Sequence, residues 1–180
     1  MAKDTNVTTI DGKLTCDWYS QGLKDSTDFR KEYNSRLNVV KQSQMPFERS
    51  PNGLVQHIIH ENMNTKECCM EIHKLFVPAG KASGKSRQLA ETVIFVLEGS
   101  GYDLHWDVQF DCQDEFIWEW EKEPKKLEWT RGDFIYVPPY SITQHVSTGK
   151  GEAQLVVMTN KILKDMGFNW FEQVENAEGF

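Results

Sequence analysis

The hydrophobic rhythm of the chain changes near Gly53. Before it, Phe29, Tyr33, Leu37 and Val40 recur at spacings of four, four and three, which places them on one face of a helix. With Ser26 or Thr27 as its N-cap, that helix is expected to end near Lys41 and to pack outside the following domain or on a second subunit. About twenty residues ahead of it are polar and without period, and read as an arm anchored by Trp18 and Tyr19. Turns at Met45-Pro46 and at Ser50-Pro51-Asn52-Gly53 separate this segment from the rest.

Beyond Gly53 the chain reads as short runs bounded by turns. Leu54 to His60, Cys68 to Val77, Thr92 to Leu97, Tyr102 to Phe110, Phe116 to Trp120, Lys126 to Thr130, Phe134 to Val137, Thr143 to Ser147 and Ala153 to Thr159 predict about nine strands with no helix between them. Phe116, Trp118 and Trp120 alternate with Glu115, Ile117 and Glu119. Across the turn at Glu123-Pro124 they predict a hairpin with Lys126 to Thr130, its aromatic side including Trp129 and packing within the subunit. Glu119, Glu121 and Glu123 are then its solvated side. A helix from Lys161 closes the chain. The reading is all-β, an antiparallel barrel or jelly roll over residues 54–160, with an arm and helix over 1–53 and a helical tail over 161–180.

Composition narrows the class. The chain has 180 residues, 39% hydrophobic and 12% aromatic, enough for one packed core and too short for two large ones. A net charge of −7 opposes binding to nucleic acid or to an anionic membrane surface. The opening Met1-Ala2-Lys3-Asp4-Thr5-Asn6 has no apolar stretch and no run reaches membrane length, so a cytoplasmic protein is expected. Cys16, Cys68, Cys69 and Cys112 show no CxxC spacing, and the adjacent Cys68 and Cys69 point to opposite faces of one strand. They read as reduced thiols without assigned chemistry.

Two segments carry a family resemblance. Pro78-Ala79-Gly80, followed by Thr92-Val93-Ile94-Phe95-Val96-Leu97-Glu98-Gly99-Ser100-Gly101-Tyr102, resembles the first conserved motif of the cupin superfamily. Gly132-Asp133-Phe134-Ile135-Tyr136-Val137-Pro138-Pro139-Tyr140 resembles the second. Physically, Gly99 and Gly101 suit positive backbone angles in a tight connection, and Pro138-Pro139 ends ladder pairing. The resemblance implies a jelly-roll barrel, frequent homodimers and a metal held by two histidines and a glutamate from motif one and a histidine from motif two. Counted along the motifs, those positions fall on Ser86, Gln88, Thr92 and Thr143. Their neutral hydroxyl and amide groups are weak donors to a divalent transition ion, so no metal is expected there and no cofactor is assigned. Glu91 adjoins the glutamate position but points to the opposite face of a regular strand. His73, His105 and His145 leave a relocated metal site open, whereas His57 and His60, three apart on a strand, point to opposite faces and form no pair.

Three functions compete. In the first, Ser86, Gln88, Thr92, Thr143 and His145 line a pocket that binds a small organic molecule, in an accessory or binding role. In the second, His145 is the catalytic acid or base of a metal-independent isomerase or lyase. The third is a dioxygenase-like cupin with atypical metal ligands. Fold alone does not choose among them.

Overall fold

Residues 7–10, 13–66, 69–111, 117–168 and 170–180 are described by the computed structural model, and the chain divides into two units, residues 1–38 and 39–180. Cys68, Cys112 and Phe116 lie outside the described residues. In the first unit, β1 (Val7–Ile10) and β2 (Lys13–Cys16) form an antiparallel ribbon ahead of α1 (Trp18–Ser35). The helix therefore starts and ends earlier than its apolar spacing indicates, and Leu37 and Val40 lie beyond it. Thr27, read as a possible cap, is an interior residue whose hydroxyl donates to the Leu23 carbonyl at 3.1 Å. A threonine satisfied by the preceding turn no longer marks a boundary.

The second unit runs β3 (Phe47–Ser50), β4 (Gly53–Ile59), β5 (Met70–Val77), β6 (Lys85–Gln88), β7 (Thr92–Glu98), β8 (Ser100–Trp106), β9 (Val108–Asp111), β10 (Ile117–Trp120), β11 (Lys125–Thr130), β12 (Phe134–Val137), β13 (Ile142–Ser147), β14 (Ala153–Asn160), the single turn α2 (Ile162–Asp165) and β15 (Phe171–Glu175). The order β12-β7-β14-β5-β4-β3 makes a six-stranded sheet and β11-β8-β13-β6-β15 a five-stranded one. This is the expected all-β jelly-roll architecture. Strands β3, β6 and β15 are additions to the sequence reading, and the helical tail is one turn followed by a strand.

The aromatic hairpin differs from expectation. β10 pairs with β9, Trp120 opposite Val108, while β11 pairs with β8, Trp129 opposite Gly101. The chain breaks between β8 and β9 at Asp107. Its carboxylate accepts from Ser141 Oγ at 2.8 Å and Lys125 Nζ at 2.9 Å, and its carbonyl accepts from the Glu121 amide at 3.0 Å. These bonds hold the corner, so β9 and β10 leave the main sheet as a separate ribbon.

The inner faces of the two sheets are chemically unequal. Val55, Leu75, Val77, Ile94, Val96, Ile135, Val137, Ala153, Leu155 and Val157 supply the apolar core from the six-stranded sheet, and Trp129 joins them from the other. Alternation along β8 and β13 instead buries Gly101, Asp103 and His105, and Thr143, His145 and Ser147. Gly99 has the expected positive φ, +93°, and a Cβ there would lie 2.8 Å from the Ala153 backbone. Gly101 is needed for space rather than angle, because a Cβ would sit 2.6 Å from the Trp129 ring.

Candidate functional site

The five residues marked along the two motifs converge. Ser86 and Gln88 from β6, Thr92 from β7, and Thr143 and His145 from β13 line one inner chamber of about 80 Å³ between the sheets, with His73 from β5. Register explains the convergence: Thr143 stands opposite Ser86 on one side and His105 on the other, and Thr92 faces Thr159. Period two then turns His145 to the same side as Thr143. Gln88 Nε2 donates to Thr92 Oγ1 at 2.6 Å, which lies 3.2 Å from Thr159 Oγ1. Glu91 faces away, its carboxylate accepting from the Tyr136 hydroxyl at 3.0 Å.

His145 is held from both ends. Its amide donates to Ser83 Oγ at 2.9 Å and its carbonyl accepts from the Ser83 amide at 2.8 Å. Its Nδ1 lies 2.9 Å from Asp103 Oδ1, a close contact without hydrogen-bond alignment. Asp103 is fully buried and accepts from Trp129 Nε1 at 2.7 Å, with His105 Nε2 3.3 Å from its other oxygen. Burial alone would raise the Asp103 carboxyl, but the charge of His145 and the hydrogen bonds from its neighbours outweigh it and hold the group well below the usual carboxylate range. Asp103 was not among the residues singled out from sequence. The available signal was its parity: it shares a strand face with Gly101 and His105, all three enclosed.

The chamber adjoins a larger cavity of about 400 Å³. The two share Asn52, His73, Gln88, Thr159 and Phe171. Burial, then repulsion from His57 and His145, lowers the pKa of His73 to about 4, so its imidazole is neutral at pH 7. Beside the chamber, the Arg87 guanidinium stacks 4.1 Å from the Trp120 ring and 4.9 Å from the Trp170 ring, and its Nε donates to Glu172 at 2.8 Å. The turn of the second motif is tied to the first, Tyr140 donating its amide to the Gln88 carbonyl at 2.8 Å with φ +64°. A non-glycine residue in that region carries backbone strain.

His57 and His60 do meet, against expectation. The pairing of β4 with β5 slips between His57 and Ile59, leaving Ile58 as an extra residue, so that His57 faces His73 and Ile59 faces Ile72. The bulge restores His60 to the side of His57, and their rings contact at 5.1 Å. His57, His60 and Glu71 each bring a donor atom within 4.8 Å of the other two, the one such group among the described residues. His73, His105 and His145 do not gather in this way.

No family model and no curated protein matches the sequence. Solved structures do share its fold. A salicylate 1,2-dioxygenase from Pseudoaminobacter salicylatoxidans, in adducts with gentisate, superposes with a TM-score of 0.53 at 12% identity, over 92% of this chain and 37% of that one. A deletion mutant of an oxalate decarboxylase from Bacillus subtilis gives 0.55 at 12% identity over 77% and 34% of the two chains. An iron(II) HppE in complex with substrate gives 0.52 at 15% over 68% and 60%. This chain spans about a third of the length of the first two. Together with the paired sheets and both motifs in order, these likenesses identify the architecture: this chain has the cupin fold.

Proposed function

We propose that this chain binds a small organic molecule between its sheets, the polar head of the ligand in the chamber lined by Ser86, Gln88, Thr92, Thr143 and His145. The observation that carries this reading is the pair of adjoining cavities, about 80 Å³ inside and about 400 Å³ outside, with five shared lining residues. The inner volume is that of two or three water molecules at about 30 Å³ each, so it suits a head group such as a carboxylate or amide. The outer cavity offers Leu89, Leu163, Phe168 and Trp170 to an apolar body. Pockets that join a few convergent polar groups to an apolar wall are the common design of small-molecule sites.

The four positions that correspond to cupin metal ligands do not fit a divalent transition ion. All are neutral, and the Gln88 amide and Thr92 hydroxyl are already engaged with each other and with Thr159. These side chains suit a polar ligand rather than a metal centre, which supports an accessory or binding role. One observation favours a second reading, proton transfer by His145: its Nδ1 lies 2.9 Å from the Asp103 carboxylate, a partner that orients an imidazole for acid–base work.

The outer face of the six-stranded sheet supports association with a second copy as a homodimer. Phe134 and Tyr136 on edge strand β12 are 68% and 53% exposed and continue across the ladder into Phe95 and Val93. Exposed apolar side chains grouped in this way are the kind of surface that a second copy would cover. No helix among the described residues is long and apolar enough to cross a membrane; the cytoplasm as compartment stays a proposal from the sequence.

The binding reading is tested by thermal shift of the purified chain against small carboxylic acids and amides with aromatic or aliphatic bodies. At least one class should raise the melting temperature, and Thr143→Val and Ser86→Ala should abolish the shift while melting near the parent temperature. Failure of every compound to shift the unaltered protein would sink the proposal.

A further inference from the structure

We propose that His57, His60 and Glu71 form a binding site for a divalent transition ion on the inner face of the six-stranded sheet, apart from the positions that the cupin motifs would use. Their three donor atoms lie within 4.8 Å of one another. His60 Nε2 is already 3.7 Å from Glu71 Oε1, close to the roughly 3.4 Å between two ligands each about 2.1 Å from a tetrahedral ion. Two imidazoles and one carboxylate, with a position left for water, suit zinc, cobalt or iron(II) and not magnesium or calcium.

A second observation points the same way. His57 Nε2 lies 2.7 Å from Glu48 Oε2, while its Nδ1 is buried and has no hydrogen-bond partner. With Nε2 donating to Glu48, Nδ1 of the neutral ring is a bare lone pair, and a buried acceptor without a partner is unfavourable. A cation removes that cost. A carboxylate behind the imidazole also orients the ring and strengthens it as a donor, as is usual for metal-bound histidine. The bulge at Ile58 is what makes the site: without it His60 would leave the face that His57 and Glu71 share.

Loading has a structural signature. His60 Nδ1 accepts from the Asn62 amide at 3.1 Å in the turn Glu61–Met63. An ion on Nε2 moves the ring proton to Nδ1 and displaces that amide.

The test uses the full chain, stripped with chelator and titrated with Zn²⁺ or Co²⁺ alone, so it reads this site independently of any ligand in the inner chamber. One equivalent per chain is expected, with visible Co²⁺ bands of a four- or five-coordinate site and a shift of the Asn62 amide resonance. His60→Asn and Glu71→Gln should each weaken binding at least tenfold with circular dichroism unchanged, and Thr143→Val should have no effect. Absence of saturable binding, or binding that survives both substitutions, would overturn the assignment, as would binding abolished by His145→Gln and untouched by His60→Asn.

Discussion

His145 stands directly opposite Asp103 in the β8–β13 ladder, with Nδ1 2.9 Å from Oδ1. Trp129 and His105 complete the surroundings of the same carboxylate, so a charged group sits where a jelly roll usually places an aliphatic layer. A buried charge of this kind adds little net stability relative to a well-packed apolar replacement. Breaking it is expensive, because the partners are left behind.

Asp103→Ala should therefore destabilise the protein by about 3–5 kcal/mol. The check is urea unfolding at pH 7, where the midpoint should fall with little change in slope. A loss below about 1 kcal/mol would mean that the buried network is not intact in solution.

The same carboxyl sets an acid dependence. Its folded pKa is lowered, so its stabilisation is present above the unfolded value of about 3.9 and is lost as pH falls from there through the folded value. Unfolding free energy measured between pH 5 and pH 2 should drop steeply for the parent chain and less steeply for Asp103→Asn.

Gly101 and Trp129 should behave as one unit. Gly101→Ala places a methyl 2.6 Å from the indole and against the Val146 carbonyl, for a cost of about 1–3 kcal/mol from overpacking. Trp129→Phe relieves the crowding at the ring, though not that at the Val146 carbonyl, and removes the donor to Asp103, about 1–3 kcal/mol for a buried acceptor left short. A double-mutant cycle by thermal melting should give a combined loss smaller than the sum of the two; strict additivity would contradict the packing.

Charges on the exposed sheet face should separate subunits. Phe134→Arg with Tyr136→Arg is expected to convert a dimer to a monomer in light scattering while leaving the melting of the isolated chain nearly unchanged, since both side chains are exposed. A parent protein that is monomeric at high concentration would remove the homodimer reading.

Much of the fold was legible because short apolar runs and the turns that bound them are local signals. Thr92 to Leu97, Phe134 to Val137 and Ala153 to Thr159 are short, mostly apolar runs set off by turn residues, and they are neighbouring strands of one sheet in the order β12-β7-β14. The cupin motifs added spacing, and spacing sufficed to bring Ser86, Gln88, Thr92, Thr143 and His145 to one chamber, because every second residue of a strand shares a face.

What only the tertiary structure decided concerns choices made by distant partners. β6 lacks an apolar alternation of its own and is a strand because β13 and β15 flank it. β10 pairs with β9 rather than β11 because Asp107 turns the corner between β8 and β9 through bonds to Ser141, Lys125 and Glu121. The single extra residue at Ile58 reverses the facing of His60, and no local pattern announces a bulge whose register is set by β5. Asp103 is the same case in electrostatics: its residue type argues for solvent, and only the convergence of Trp129, His105 and His145 from three strands makes its burial tolerable. The sequence alone determined which residues alternate, where the chain turns and which side chains occupy the motif positions; pairing partners, bulges and buried charges are long-range outcomes, settled by what the rest of the chain places opposite.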